Sequence, residues 1–266
     1  MKLIAILRIK DAMSTVEECL AKLSTLVDEI IIVDNGSTDG TLEAYKKFPK
    51  IQQVMHTEGF HQGRDQIMLL DAAKTRGADW ILLIDADEVF EKNTTRKVFD
   101  EYMNSGHNAF GFRMYNFWLN RKTFRIDSDW FGYTLKPQRF LCKNVPGIYF
   151  VNRQFHSGVI KGVPGRVQTS LYRLKHYGFA DRKQVAFKWQ FYIDTDKKRD
   201  KRYYSHLDPE SKAFTLRFIE FNNSVINYVY ITALNFLENQ LLSRPKLKDS
   251  LFRHINQRSS FESSQS

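Results

Sequence analysis

Asp85, Asp87 and Glu88 fall within four residues, directly after the apolar run Trp80-Ile81-Leu82-Leu83-Ile84. That run is long enough for a strand buried on both faces and too short for a helix. In extended chain, residues two apart send their side chains to the same side, so Asp85 and Asp87 would converge. Converging carboxylates repel and need a cation between them, and hard oxygen ligands suit Mn²⁺ or Mg²⁺. Such an ion in turn binds phosphate, and the carboxyl ends of strands are where open α/β sheets bind ligands. A solvated strand end followed by a helix-start signal is the other reading of the triplet.

The elements needed to position these acids are legible upstream. Leu3-Ile4-Ala5-Ile6-Leu7 predicts a buried first strand, and Ser14-Thr15-Val16-Glu17 has the spacing of a capping box. Val16, Cys19, Leu20, Leu23 and Val27 then recur at helical intervals. Glu29 to Asp34 predicts a second strand ending in an acid, followed by the turn-rich Asn35-Gly36-Ser37-Thr38-Asp39-Gly40-Thr41 and a helix through Leu42, Tyr45 and Phe48. Ile51 to Met55 predicts a third strand, residues 61–76 a helix stopped by Gly77, and Trp80 to Ile84 a fourth strand. Strands alternating with helices at this spacing argue a parallel, doubly wound sheet.

After a helix through Val98, Phe99, Tyr102 and Met103 the character changes. Aromatic, strand-like pieces (Phe110–Phe117, Gln138–Cys142, Gly147–Phe150, Ser170–Leu174) alternate with Gly, Pro and Asn, and Asp127 to Lys136 has no regular pattern. From Asp181 the chain turns helical and basic, with a charge run at Lys197–Arg202 and amphipathic spacing over residues 211–242. The expected organisation is therefore one α/β domain over residues 1–180, divided into halves 1–105 and 106–180. A helical extension over 181–258 and a disordered tail over 259–266 follow.

With 266 residues and 14% aromatics, the composition is globular and excludes a disordered chain. A formal charge of +10 favours an anionic partner: a nucleotide diphosphate, a phosphorylated glycan, nucleic acid or a membrane surface. Cys19 and Cys142 have no framework spacing and read as buried thiols of a reducing compartment. Residues 1–9 read as a strand rather than a signal peptide, and Val225 to Leu237 is too short and too interrupted to span a bilayer. The expectation is a soluble, cytoplasmic protein, with peripheral contact to an anionic membrane left open by the charge.

Taken together, Val33-Asp34-Asn35-Gly36-Ser37-Thr38-Asp39-Gly40-Thr41 and Leu83-Ile84-Asp85-Ala86-Asp87-Glu88, about 50 residues apart, resemble the family 2 glycosyltransferases of the GT-A fold. The resemblance covers residues 1–105 well and runs more loosely to His176-Tyr177-Gly178. It implies an inverting transferase that moves a sugar from a nucleotide-sugar donor, a UDP-sugar, to a hydroxyl of a cell-surface glycan or lipid-linked acceptor. It implies that Asp34 accepts from the imide N–H of a uracil-like base, against the alternative that it only stabilises the turn. Asp85 would lie near the ribose and the metal, Asp87 would ligate the metal, and His176 would add a nitrogen ligand. Arg64 would contact a donor phosphate, or stand as a solvated arginine. Glu88 would support Asp87 or favour the segment after it. Where many members carry Asn-Glu after the first strand, this chain has Lys10-Asp11, which weakens the case for Asp11 as a nucleotide contact.

Relatives place their base, a carboxylate, just upstream of the metal histidine, but Arg153-Gln154-Phe155-His156-Ser157-Gly158 has none. His156 is then the candidate base, with Asp129 or Asp127 folding in as the alternative. Two rivals remain. A nucleotidyltransferase should show a glycine-rich, basic signature after the first strand, and Arg8-Ile9-Lys10-Asp11-Ala12 has no glycine. A binding protein for anionic glycan or nucleic acid would use Lys197–Arg202 and the aromatics from Tyr115 to Trp118. No recognised nucleic-acid motif accompanies that run, so nucleic acid is not an expected partner.

Overall fold

The computed structural model describes residues 1–126, 137–155, 158–195, 204–205, 207–211, 213, 215–220, 229 and 233. Its first half is the expected alternation: β1 (Leu3–Ile9), α1 (Val16–Ser24), β2 (Glu29–Asp34), α2 (Thr41–Tyr45), β3 (Ile51–His56), α3 (Gln62–Thr75) and β4 (Trp80–Leu83). There follow β5 (Glu88–Phe90), α4 (Arg96–Met103), β6 (Ala109–Asn116), β7 (Thr123–Arg125), β8 (Pro137–Lys143), β9 (Gln168–His176), α5 (Arg182–Thr195) and β10 (Thr215–Arg217).

Eight strands form one sheet in the order β3-β2-β1-β4-β8-β6-β9-β5, and β7 and β10 pair separately. The first four strands are mutually parallel, β8 runs antiparallel to both β4 and β6, and β9 is parallel to β6. β1 shows why this sheet is buried on both faces. Leu3, Ala5, Leu7 and Ile9 join the core under α1 and α4, while Ile4 and Ile6 join the core under α3. Fully burying each of the larger side chains stabilises the fold by roughly 1.5–3 kcal/mol before entropy is counted.

Register decides what meets at the sheet's edge. Ile9 lies beside Asp34 and Ile6 beside Leu83, so the chain leaves β1, β2 and β4 along one border. Across the other half, His176 of β9 lies between Glu88 of β5 and Asn116 of β6.

Several expectations change in detail. The Ser14–Glu17 spacing does not make a capping box: Thr15 is the N-cap and makes no side-chain cap bond, and the Ser14 hydroxyl instead accepts from the Gln184 amide at 2.8 Å. Gly147–Phe150 is no strand: it makes the isolated bridge Tyr149–Lys161, and the Lys74 ammonium donates to the Ile148 carbonyl at 3.0 Å. Within 211–242, Thr215–Arg217 are a strand paired with β7, while Val229 and Ala233 are helical. The tail from 259 lies outside the described residues.

Candidate active site

The acids after β4 sit on a turn rather than in extended chain. Glu88 N–H donates to the Asp85 carbonyl at 3.1 Å, and the Glu88 carboxylate accepts from Asp85 N–H at 3.0 Å. Fully buried, Glu88 closes through this reciprocal pair the turn that carries Asp85 and Asp87. Strand alternation therefore does not set the directions of the two aspartates. The Asp87 carbonyl accepts from Tyr177 N–H at 2.7 Å, which clips the turn to the end of β9.

Asp87 meets two nitrogens there. His176 Nε2 lies 3.4 Å from Oδ1 and Lys188 Nζ lies 3.1 Å from Oδ2. His176 is held from its other side, with Nδ1 2.5 Å from Asn116 Oδ1. An amide oxygen only accepts, so Nδ1 carries a proton and Nε2 is the nitrogen that faces Asp87. Nε2 and a carboxylate oxygen so placed repel unless a proton or a cation lies between them. Burial pushes the Asp87 carboxyl up, but the charges of Lys188 and His176 outweigh it and hold the group well below the usual carboxylate range. Gly178 keeps this space open: a Cβ there would stand 2.4 Å from Asp87 Oδ2, 2.5 Å from Lys188 Nζ and 2.7 Å from His176 Nε2.

These residues fit a divalent ion to a definite extent. Among the described residues, no group of three or more His, Cys, Asp or Glu side chains is placed to hold a metal. Asp87 and His176 offer one oxygen and one nitrogen; so sparse a set leaves most of an ion's shell to water and substrate phosphate, and the imidazole nitrogen suits a transition ion such as Mn²⁺ better than Mg²⁺. The Asn116 bond to the distal nitrogen is the usual outer support of a metal histidine.

The loop after β2 is laced onto the end of β1. Asp11 N–H donates to Ser37 Oγ, Ala12 N–H to Thr41 Oγ1 and Met13 N–H to Asp39, each at 2.9 Å, while Thr38 N–H donates to Asp11 at 2.7 Å. Asp11 makes this contact with φ at 45°, a left-handed conformation open to aspartate at some cost. Beneath the loop Asp34 is fully buried. Its Oδ1 accepts from Gly36 N–H at 3.0 Å and Ser37 N–H at 2.8 Å; its Oδ2 accepts from Ser37 Oγ at 2.8 Å and Tyr45 at 2.7 Å. Both oxygens are thus engaged by the turn.

Arg64, at the start of α3, is likewise engaged. It donates to the Asp65 carboxylate at 2.8 Å and to the carbonyls of Glu58 and Gly59 at 3.1 and 3.0 Å. Asp65, fully buried, also accepts from Asn35 at 2.9 Å, so α3 and the loop after β2 are tied through one carboxylate.

His156 and Asp129, with Asp127, lie outside the described residues. The segment leading to His156 is placed: Gln62 N–H donates to Gln154 O at 3.0 Å and Gly63 N–H to Arg153 O at 2.8 Å. Phe155 stacks on Phe60 with centroids 5.0 Å apart, and Arg8 covers the Phe60 ring at 4.5 Å.

Sequence reasoning missed Lys188 and Asn116. Lys188 sits in a helix read only as basic, and Asn116 ends an aromatic strand. The sole sequence signal was Asp181, whose carboxylate caps α5 by accepting from Lys183 and Gln184 N–H at 2.9 and 3.0 Å. The structure also shows both thiols buried; burial pushes Cys142 up to about 12, and Cys19 donates to the Asp85 carbonyl at 3.6 Å. Neither is a candidate nucleophile.

The chain is a mixed α/β sheet with acids, a histidine and a lysine gathered at one border. The model of glycosyl transferase family 2 matches residues 9–163, more than half of the chain, and the chain belongs to that family. A TPR repeat-containing protein of Synechococcus elongatus is 36% identical over 81 residues, 30% of this chain and 19% of that protein, so the chain spans under a fifth of its length. Among solved structures, S. aureus TarS 1-349 in complex with UDP is 16% identical with a TM-score of 0.48, covering 78% of this chain and 70% of that one. Glucosyl-3-phosphoglycerate synthase from Mycobacterium tuberculosis, in complex with Mg²⁺ and UDP, is 17% identical with a TM-score of 0.33, covering 42% of this chain and 43% of that one.

Proposed function

We propose that this chain transfers a sugar, with inversion, from a UDP-sugar to a hydroxyl of a glycan or lipid-linked acceptor in cell-surface glycan biosynthesis. The observation that carries the reading is the meeting of Asp87 and His176 at the ligand-binding border of a family 2 chain. Asp87 and His176 hold Mn²⁺ or Mg²⁺, with Asp85 toward the donor ribose. The ion, when bound, neutralises charge on the departing diphosphate. In the transfer, the acceptor oxygen bonds to the anomeric carbon as the carbon–oxygen bond to the diphosphate breaks. The bonding pair leaves with the nucleoside diphosphate, and the acceptor proton passes to a base, His156 or Asp129.

Asp34 reads the imide of the base only if it releases one of its present donors. The hydroxyls of Ser37 and Tyr45 are the donors that can turn away without moving the backbone. Arg64, held by Asp65, Glu58 and Gly59, would reach a phosphate through what remains of its five N–H donors. Two buried free thiols support a cytoplasmic setting, and the +10 charge supports contact with an anionic membrane surface where the acceptor is lipid-linked.

The test is hydrolysis and transfer across a panel of nucleotide-sugars, with and without Mn²⁺. One UDP-sugar should be turned over with Mn²⁺ and not without it, and Asp87→Asn should lower kcat at least ~30-fold, a loss of at least ~2 kcal/mol. Near-wild-type turnover by Asp87→Asn at saturating Mn²⁺ would sink the metal reading.

A further inference from the structure

Lys188 poses a physical problem for a metal site. Its ammonium lies 3.1 Å from Asp87 Oδ2, and beside the Gly178 cradle it shares with His176. An ammonium and a divalent ion cannot both hold that carboxylate at short range without strong repulsion. The lysine is nevertheless delivered there by a well-anchored helix. Asp181 caps α5, Val185 is fully buried against Trp118, Tyr204 and Leu207, and Phe191 packs edge-on to Phe60 at 5.9 Å. The flexible four-carbon stem lets the ammonium move while the helix stays fixed.

We propose that Lys188 is a donor-binding residue that exchanges partners: it neutralises Asp87 in the empty site and passes to the donor's diphosphate when metal and donor enter. The inference rests on the metal-and-donor reading above and adds to it a contact from α5, beyond the segment that matches the family model. The diphosphate is the only new anion that loading brings to the site, so it is the natural acceptor of the displaced ammonium. As the leaving group gains charge, Lys188 stabilises it without a proton changing hands.

Calorimetric titration with UDP at saturating Mn²⁺, ligand-observed NMR with uridine, and Mn²⁺ binding alone by electron paramagnetic resonance test this on the whole chain. Lys188→Met should weaken UDP binding at least tenfold, leave uridine binding as in the wild type, and leave Mn²⁺ binding equal or tighter because a competitor has gone. Lys188→Arg should recover most of the UDP affinity. Unchanged UDP affinity in Lys188→Met overturns the inference. Parallel losses for UDP, uridine and Mn²⁺, with no recovery in Lys188→Arg, would make Lys188 a structural support and overturn it too. A wild type that binds no UDP overturns the donor reading and this inference together, whereas wild-type binding that Lys188→Met does not alter overturns the inference alone.

Discussion

Asn116 decides which nitrogen of His176 faces Asp87. Its side-chain oxygen lies 2.5 Å from Nδ1, and the strand register places the two residues side by side. Asn116→Leu keeps the volume and removes the acceptor, so His176 loses both its tautomer and its aim. The Mn²⁺ concentration for half activity should rise about 10–100-fold, with kcat at saturating Mn²⁺ much less affected. His176→Ala should shift the same titration further. A mutant that melts earlier with an unchanged metal titration would mean the histidine is only a core residue. For the proton, His156→Ala should slow transfer roughly 10²–10⁴-fold and flatten a limb of kcat/KM that rises with pH. Asp129→Asn and Asp127→Asn are the controls. If either cripples transfer while His156→Ala keeps its rate, the base is a carboxylate. The sequence pointed to Asp87 and His176 by type and position, but it could not show that Asp34 spends both oxygens on the turn at Gly36 and Ser37. A short loop can wrap an acid in its own N–H groups; Asn35-Gly36 made that outcome readable as an alternative, but only the folded loop shows which contacts are made.

At the scale of elements, the parallel half was readable because each unit carries its own signal. Continuous apolar runs marked β1, β2 and β4, and 3.6-residue spacing marked α1 and α3. The elements missed or misread are short or borrowed. β5 and β10 have three residues each and exist because β9 and β7 offer partners. The close approach of α3 to the segment 151–154 was likewise invisible, although Gly63 enables it. A Cβ on Gly63 would lie 2.4 Å from Arg153 N and 2.5 Å from Val151 O, both backbone atoms that cannot swing aside. Gly63→Ala should therefore cost about 1–3 kcal/mol of stability, read by urea unfolding. Because it displaces the strand of chain leading to Phe155 and His156, it should slow transfer to the acceptor more than hydrolysis of the donor.

Across the whole molecule, one buried ion pair fastens the edge of the sheet. The Arg173 side chain on β9 is 2% exposed and pairs with Glu91, which is fully buried beyond the end of β5. Its guanidinium also donates to the Ile219 carbonyl at 2.8 Å and covers Phe218 at 4.6 Å, drawing the segment after β10 onto the sheet. Arg173→Met leaves a buried carboxylate without its cation and should cost about 3–5 kcal/mol. Urea unfolding of Arg173→Met, Glu91→Leu and the double variant checks it: the double variant should recover much of the loss. If it falls by the sum of the singles, the pair is not the source of the cost.

By itself the sequence determined the strand–helix alternation to β4 and the family, because these depend on local periodicity and on residues adjacent in the chain. Only the tertiary structure decided that β8 enters between β4 and β6, and that β9 brings His176 into line with Glu88 and Asn116. It alone placed Lys188, 101 residues from Asp87, on the same carboxylate. Long-range strand pairing depends on which partner edges remain unfilled and on which buried charges must be matched. Those conditions belong to the folded whole, and no window of the sequence contains them.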